Sequence, residues 1–127
     1  MAGRGYMIPQ DTAVMERVWL LDESGTPVPA SNPLNKYSTV RKGLEMQQIS
    51  PGTMFGETVA KKTGRKILQV VNALGVSNIR SWMKDSPAIK DKCSIGYDTL
   101  QLYSEAVRRA QQAMKYGTLR GILWHQG

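Results

Sequence analysis

Three short apolar runs constrain this chain most: Val18-Trp19-Leu20-Leu21, Ile67-Leu68-Gln69-Val70-Val71 and Gly121-Ile122-Leu123-Trp124. A strand with one face in water alternates apolar and polar residues. A run that stays apolar is covered on both faces, the habit of parallel sheets. Each run empties into a polar turn: Asp22-Glu23-Ser24-Gly25, Asn72-Ala73-Leu74-Gly75 and His125-Gln126-Gly127.

Helical spacing fills the gaps between the runs. Over residues 98–116, Leu100, Tyr103, Val107, Ala110 and Met114 recur at three- and four-residue steps, which predicts an amphipathic helix with that stripe inward. Asp98 suits its start and Gly117 its stop. A shorter helix is expected over residues 53–63, after the turn Ser50-Pro51-Gly52, with Phe55 and Val59 inside and Gly64 at the end. Alternating strands and helices with short glycine joints make one α/β domain, 1–127, built of βαβ units.

Two stretches break this rhythm. Residues 23–50 hold Pro27, Pro29, Pro33 and several Ser and Asn, so a long loop with little regular structure is expected. Residues 80–97 read as a second excursion.

In open α/β sheets ligands bind beyond the carboxyl ends of the strands, where the three polar turns fall. The turn Gly75-Val76-Ser77-Asn78 offers backbone N–H groups and a side-chain amide, the materials of an oxyanion hole. The same turn equally suits an ordinary helix start capped by Ser77 or Asn78. His125 alone reads as a structural histidine as readily as a catalytic one, and Trp82 and Trp124 as core or cleft wall.

Composition removes other classes. One His and one Cys (Cys93) argue against a zinc site and an intrachain disulfide, and no cofactor motif is present. Ser24, Ser77 and Ser104 have no recognisable base beside them, and there is no G-x-S-x-G elbow. No run approaches the about 18 apolar residues of a membrane span, and no apolar signal-peptide core is visible at the start. Seventeen Lys and Arg against ten Asp and Glu give a net charge of +7, which permits a nucleic-acid partner. The basic residues come as scattered pairs, however, and form no stripe.

Four segments carry a resemblance. Residues 121–127, GILWHQG, resemble the opening of the block W-H-Q-G-E of the sialate O-acetylesterase and acetyl xylan esterase group of SGNH-type hydrolases. Met1-Ala2-Gly3-Arg4-Gly5 is similar to the tail of that group's first block, G-Q-S-N-M-A-G-R-G. Residues 50–56, SPGTMFG, resemble its P-G-x-x-F-G/A segment, and residues 72–82, NALGVSNIRSW, its N-A-R-G-G-T-S-I-x-x-W segment. The four stand in the family's order across the whole chain.

The resemblance implies a flavodoxin-like SGNH-hydrolase fold, a three-layer parallel sheet that is incomplete in this chain, with three of about five strands. It implies a carbohydrate O-acetylesterase, acting without a cofactor on acetylated sugars through a serine, a histidine and an acid. The serine is expected two residues before the position of Met1, the glutamate just after that of Gly127, and the activating histidine much further on. His125 is not that histidine. On this reading the chain holds support and binding residues but no catalytic one, and is nearly inactive alone. Gly75 and Val76 match the family's paired glycines beside the oxyanion, Gln126 lines the same site, and His125 orients the strand end. Arg4 lies in the loop behind the nucleophile, with Trp82 and Trp124 as supporting walls. Leu74, Val76 and Asn78 depart from the pattern. A valine tolerates positive φ poorly, which weighs against residue 76 in the oxyanion role, and the Asn78 side chain offers a substitute donor. An exposed apolar edge at 121–124 is expected to make the piece marginally stable. Family members are often exported, which implies a secreted or periplasmic parent. A catalytically inactive carbohydrate-binding remnant is the alternative, and a basic nucleic-acid-binding module ranks last.

Overall fold

The computed structural model describes residues 3–40, 47–75, 77–86 and 101–125. In chain order it contains β1 (Val18–Leu21), β2 (Pro27–Pro29), α1 (Pro51–Thr63), β3 (Ile67–Gln69) and α2 (Leu102–Ala113). Single 3-10 turns lie at Pro9–Thr12, Leu34–Tyr37 and Ile79–Trp82. No helix among the described residues is long and apolar enough to cross a membrane.

The sheet has the order β2-β1-β3. β1 and β3 are parallel, with Val18 opposite Ile67 and Leu20 opposite Gln69, and α1 makes the crossover that parallel pairing requires. β2 departs from the all-parallel expectation. It folds back antiparallel on β1, with Leu21 opposite Pro27 and Trp19 opposite Pro29. The hairpin closes because the Asp22 carboxylate accepts from Thr26 N (2.8 Å) and Ser24 Oγ (2.7 Å). Gly25 sits at φ 87°, with the Gln112 side chain 2.7 Å from where a Cβ would stand. Only glycine meets both conditions. Pro27 and Pro29 have no N–H, so they suit a strand at the rim of a sheet.

α1 begins with Pro51 at its first turn and stops at Gly64, which takes the left-handed conformation at φ 67°. Its inner stripe differs from the expected Phe55 and Val59. Thr53, Gly56 and Ala60 are buried, Val59 is half-buried and Phe55 is exposed. The reason is distance: a Cβ on Gly56 would lie 2.5 Å from Gln69 Nε2 and 3.2 Å from Val18 Cγ1. A helix seated that close to the sheet admits only small residues at the contact. Gln69 completes the seam by donating to Gly52 O at 2.8 Å.

The main core joins Met15, Val18, Leu20, Ala30, Leu34 and Ala60, and a second cluster joins Val40, Leu74 and Leu102 with Trp82 against it. Three of these residues, Ala30, Leu34 and Val40, lie in the stretch expected to be a long irregular loop. That expectation is corrected. The segment contributes β2, a 3-10 turn, and bridges that pair Gln48 with Gly3 and Ile49 with Gly5. Its polar residues are buried because they have partners. Asn32 donates to Asp11 O (3.0 Å) and accepts from Thr53 Oγ1 (2.7 Å).

α2 also differs from the expectation. It turns Leu102 and Arg109 inward and leaves Tyr103, Val107 and Met114 exposed. Arg109 explains the choice. Its fully buried guanidinium donates to Leu21 O (2.8 Å) and Asp22 O at the carboxyl end of β1, and to Tyr37 O (3.2 Å) in the 3-10 turn Leu34–Tyr37. Leu100 and Asp98 lie outside the described residues.

The third expected strand is not formed among the described residues. Residues 121–124 pair with no strand, and Ile122, Leu123 and Trp124 are 78%, 52% and 53% exposed. The run is apolar enough for a buried strand but joins no ladder among the described residues. Of the second excursion, the part up to Ser86 opens with the 3-10 turn Ile79–Trp82, and the rest lies outside the described residues.

Candidate functional site

β3 ends at Gln69, and Val70 and Val71 carry the chain to the polar turn at residues 72–78. Side chains rather than a neighbouring strand hold this turn. Asn35, itself 2% exposed, donates from Nδ2 to Ala73 O (3.3 Å) and accepts from Ala73 N at Oδ1 (3.2 Å). Ser38 Oγ donates to Asn72 Oδ1 at 3.2 Å. Further along, Ser77 Oγ donates to Leu74 O (2.8 Å) and accepts from Trp82 Nε1 (2.9 Å). Asn78 Oδ1 accepts from Arg80 N (2.9 Å), capping Ile79–Trp82.

Behind the turn, α2 supplies charge. Thr39 Oγ1 donates to Glu105, whose carboxylate also takes a two-pronged contact from Arg108 at 2.7 and 2.6 Å. The Arg108 hydrogen bonds hold the Glu105 carboxyl below its ordinary value, against the opposing effect of burial. Burial pushes the pKa of the nearby Arg109 down from the usual arginine value.

The structure brings several of the sequence-predicted residues together. Trp82 and Trp124 meet edge to face, with ring centroids 5.3 Å apart at 89°. The 121–125 arm therefore returns to the 72–82 turn, and exposed His125 follows directly on Trp124. Gly75 lies half-buried in the turn, and Asn78 is exposed. The capping role foreseen as the plain alternative at Ser77 or Asn78 falls to Asn78. Its carbonyl end is engaged in that cap. Arg4 is exposed between the bridged Gly3 and Gly5, which the structure ties to the segment entering α1. Val76 and Gln126 lie outside the described residues. At the end of β1, Asp22 is committed to the hairpin turn, and Ser24 and Thr26 pull its carboxyl below the ordinary value.

Sequence reasoning missed Asn35, Ser38, Thr39, Glu105 and Arg109. One signal was available: Leu102, Glu105 and Arg109 share a helix face at steps of three and four. Ser77, engaged as both donor and acceptor, is occupied as a structural hydroxyl. No cluster of three or more potential metal ligands occurs among the described residues.

A family model described as "Carbohydrate esterase, sialic acid-specific acetylesterase" matches residues 1–127, so the chain belongs to that family. Comparison with curated proteins finds no match. Among solved structures the chain is similar to the X-ray structure of an Arabidopsis thaliana protein, with TM-score 0.72 and 21% identity. The likeness covers 97% of this chain and 45% of that one, so the chain spans under half the length of the structure it matches.

Proposed function

With that membership as premise, we propose that the chain is the oxyanion- and substrate-binding part of a carbohydrate O-acetylesterase, a carboxylic ester hydrolase of the SGNH type. Its sheet is read as part of a flavodoxin-like, three-layer arrangement. The observation that carries this reading is the convergence of the 72–82 turn and the Trp124-His125 arm, two segments that each resemble a family motif. Acetylated sugars are the substrate class, and the reaction needs no cofactor. Backbone N–H groups at Gly75 and Val76, Asn78 Nδ2 and the Gln126 amide hold the carbonyl oxygen as it becomes negative. His125 orients the arm, and Arg4 backs the nucleophile's loop. The nucleophile and its acid are supplied by residues outside these 127, so the chain alone releases little acetate.

Acetate release from O-acetylated xylan and from O-acetylated sialic acid tests the reading. It is to be measured for the 127-residue chain and for the natural gene product, whose intact mass is determined first. Turnover by the short chain well above a denatured control would contradict the assignment of the triad to other residues. A natural product that carries G-Q-S-N and W-H-Q-G-E yet releases no acetate would sink the esterase reading. In that case the second reading, a carbohydrate-binding remnant, gains from the half-exposed indole of Trp124 beside Trp82. Sugar binding without turnover would identify it.

A further inference from the structure

We infer that Asn35 is the positioning residue of the 72–78 turn. Its side chain acts as a one-residue strand that extends the sheet's pairing beyond the end of β3. A side-chain amide carries one donor and one acceptor in the geometry of a peptide unit. Asn35 uses both on a single residue, giving to Ala73 O at 3.3 Å and taking from Ala73 N at 3.2 Å. That reciprocal exchange is what two residues share at a hydrogen-bonded pair of an antiparallel ladder. Ala73 is thus fixed where no backbone neighbour pairs with it, two residues before Gly75.

Asn35 works as a rigid clamp because its own segment is held on both sides. It lies in the buried 3-10 turn Leu34–Tyr37, with Leu34 in the main core. The next residues are anchored to α2: Tyr37 O takes a hydrogen bond from Arg109, and Thr39 Oγ1 gives one to Glu105. Ser38 adds a second grip on the turn through Asn72 Oδ1. From Ala73 the order passes along the turn. Leu74 O is taken by Ser77 Oγ, and that oxygen in turn receives the Trp82 indole N–H. Loss of the Asn35 amide frees both Ala73 groups at once, and the displacement reaches Trp82. The importance of this turn for ester chemistry rests on the function proposed above. The clamp itself needs no turnover to be observed.

The test is amide hydrogen exchange and the Trp82 indole N–H resonance, measured by NMR on the full 127-residue chain. Asn35→Ala is expected to raise exchange at Ala73 roughly tenfold relative to the β1 amides, as for a lost local hydrogen bond. The indole resonance moves with it. Met15→Ala, a main-core truncation outside the segment that carries Asn35, lowers the melting temperature but leaves both the Ala73-to-β1 ratio and the indole resonance in place. Asn35→Asp covers the case in which the alanine variant fails to fold. Its carboxylate still accepts from Ala73 N but offers nothing to Ala73 O, so Ala73 stays protected while the indole resonance shifts. Unchanged Ala73 exchange in Asn35→Ala, equal changes in Met15→Ala, or an unmoved indole in Asn35→Asp would each overturn the inference. None of these outcomes bears on the acetate assay, so the two proposals fail separately.

Discussion

Residues 30–40 and residues 121–124 look opposite in sequence and are opposite in structure, but the other way round. The first stretch holds Pro33, two asparagines and two serines, yet Ala30, Leu34 and Val40 are 0–2% exposed. The second is Gly-Ile-Leu-Trp, yet its three large side chains are each more than half exposed. Apolar content measures what burial would gain, and it does not decide whether the backbone can be buried. Residues 30–40 succeed because Asn32, Asn35 and Ser38 find partners inside, and because Arg109 takes the Tyr37 carbonyl. Residues 121–124 have the larger hydrophobic gain on offer but join no ladder among the described residues that would satisfy their N–H and C=O groups.

Substitutions can break this contrast. The largest effect is expected at Arg109, whose truncation in Arg109→Ala removes a donor from three carbonyls, of which Asp22 O keeps Gly25 N. About 3–5 kcal/mol should be lost, read as a lower urea midpoint by tryptophan fluorescence. Arg109→Lys recovers only part of it, because a point charge cannot span three acceptors. Leu34→Ala follows, at about 2–5 kcal/mol for a buried leucine. Gly56→Val, which forces a side chain against Val18 and Gln69, costs about 1–3 kcal/mol and should lower the melting temperature.

Acid sharpens the comparison through Glu105, which reaches the 30–40 segment at Thr39. Its folded pKa is depressed by Arg108, so its stabilising contribution is present above the ordinary value of 4.5. It is lost as pH falls below that through the lower folded value. Melting temperature against pH should therefore drop below about 4.5. The drop should be shallower in Glu105→Gln. The smallest effect belongs to Ile122→Ala, within about 0.5 kcal/mol of the parent. A cost there as large as that of Leu34→Ala would show that the arm is packed after all.

The legible parts of the fold were those set by local pattern. β1 was readable from its unbroken apolar run and the end of α1 from Gly64, whereas Pro51, read as part of the turn before the helix, is the helix's first residue. What escaped was set across the chain. Gly56 faces the sheet because of Val18 and Gln69, and α2 turns its polar face inward because three carbonyls at distant positions await Arg109. At the site, the turn's own residues could be named from the sequence. Asn35 could not, since its partner lies 38 positions away.

The prolines of β2 give the sheet a direction of growth. A rim without amide donors at Pro27 and Pro29 is a poor template for another strand, whereas at the opposite rim Ile67 N is turned to Arg17 O on the β1 side and alternation leaves the Leu68 N–H facing outward. Recruitment of further β-structure, whether by more of the same polypeptide or by a neighbouring molecule in an aggregate, is thereby steered to the side of β3. The protein is polar as a building block: capped on one flank and open on the other.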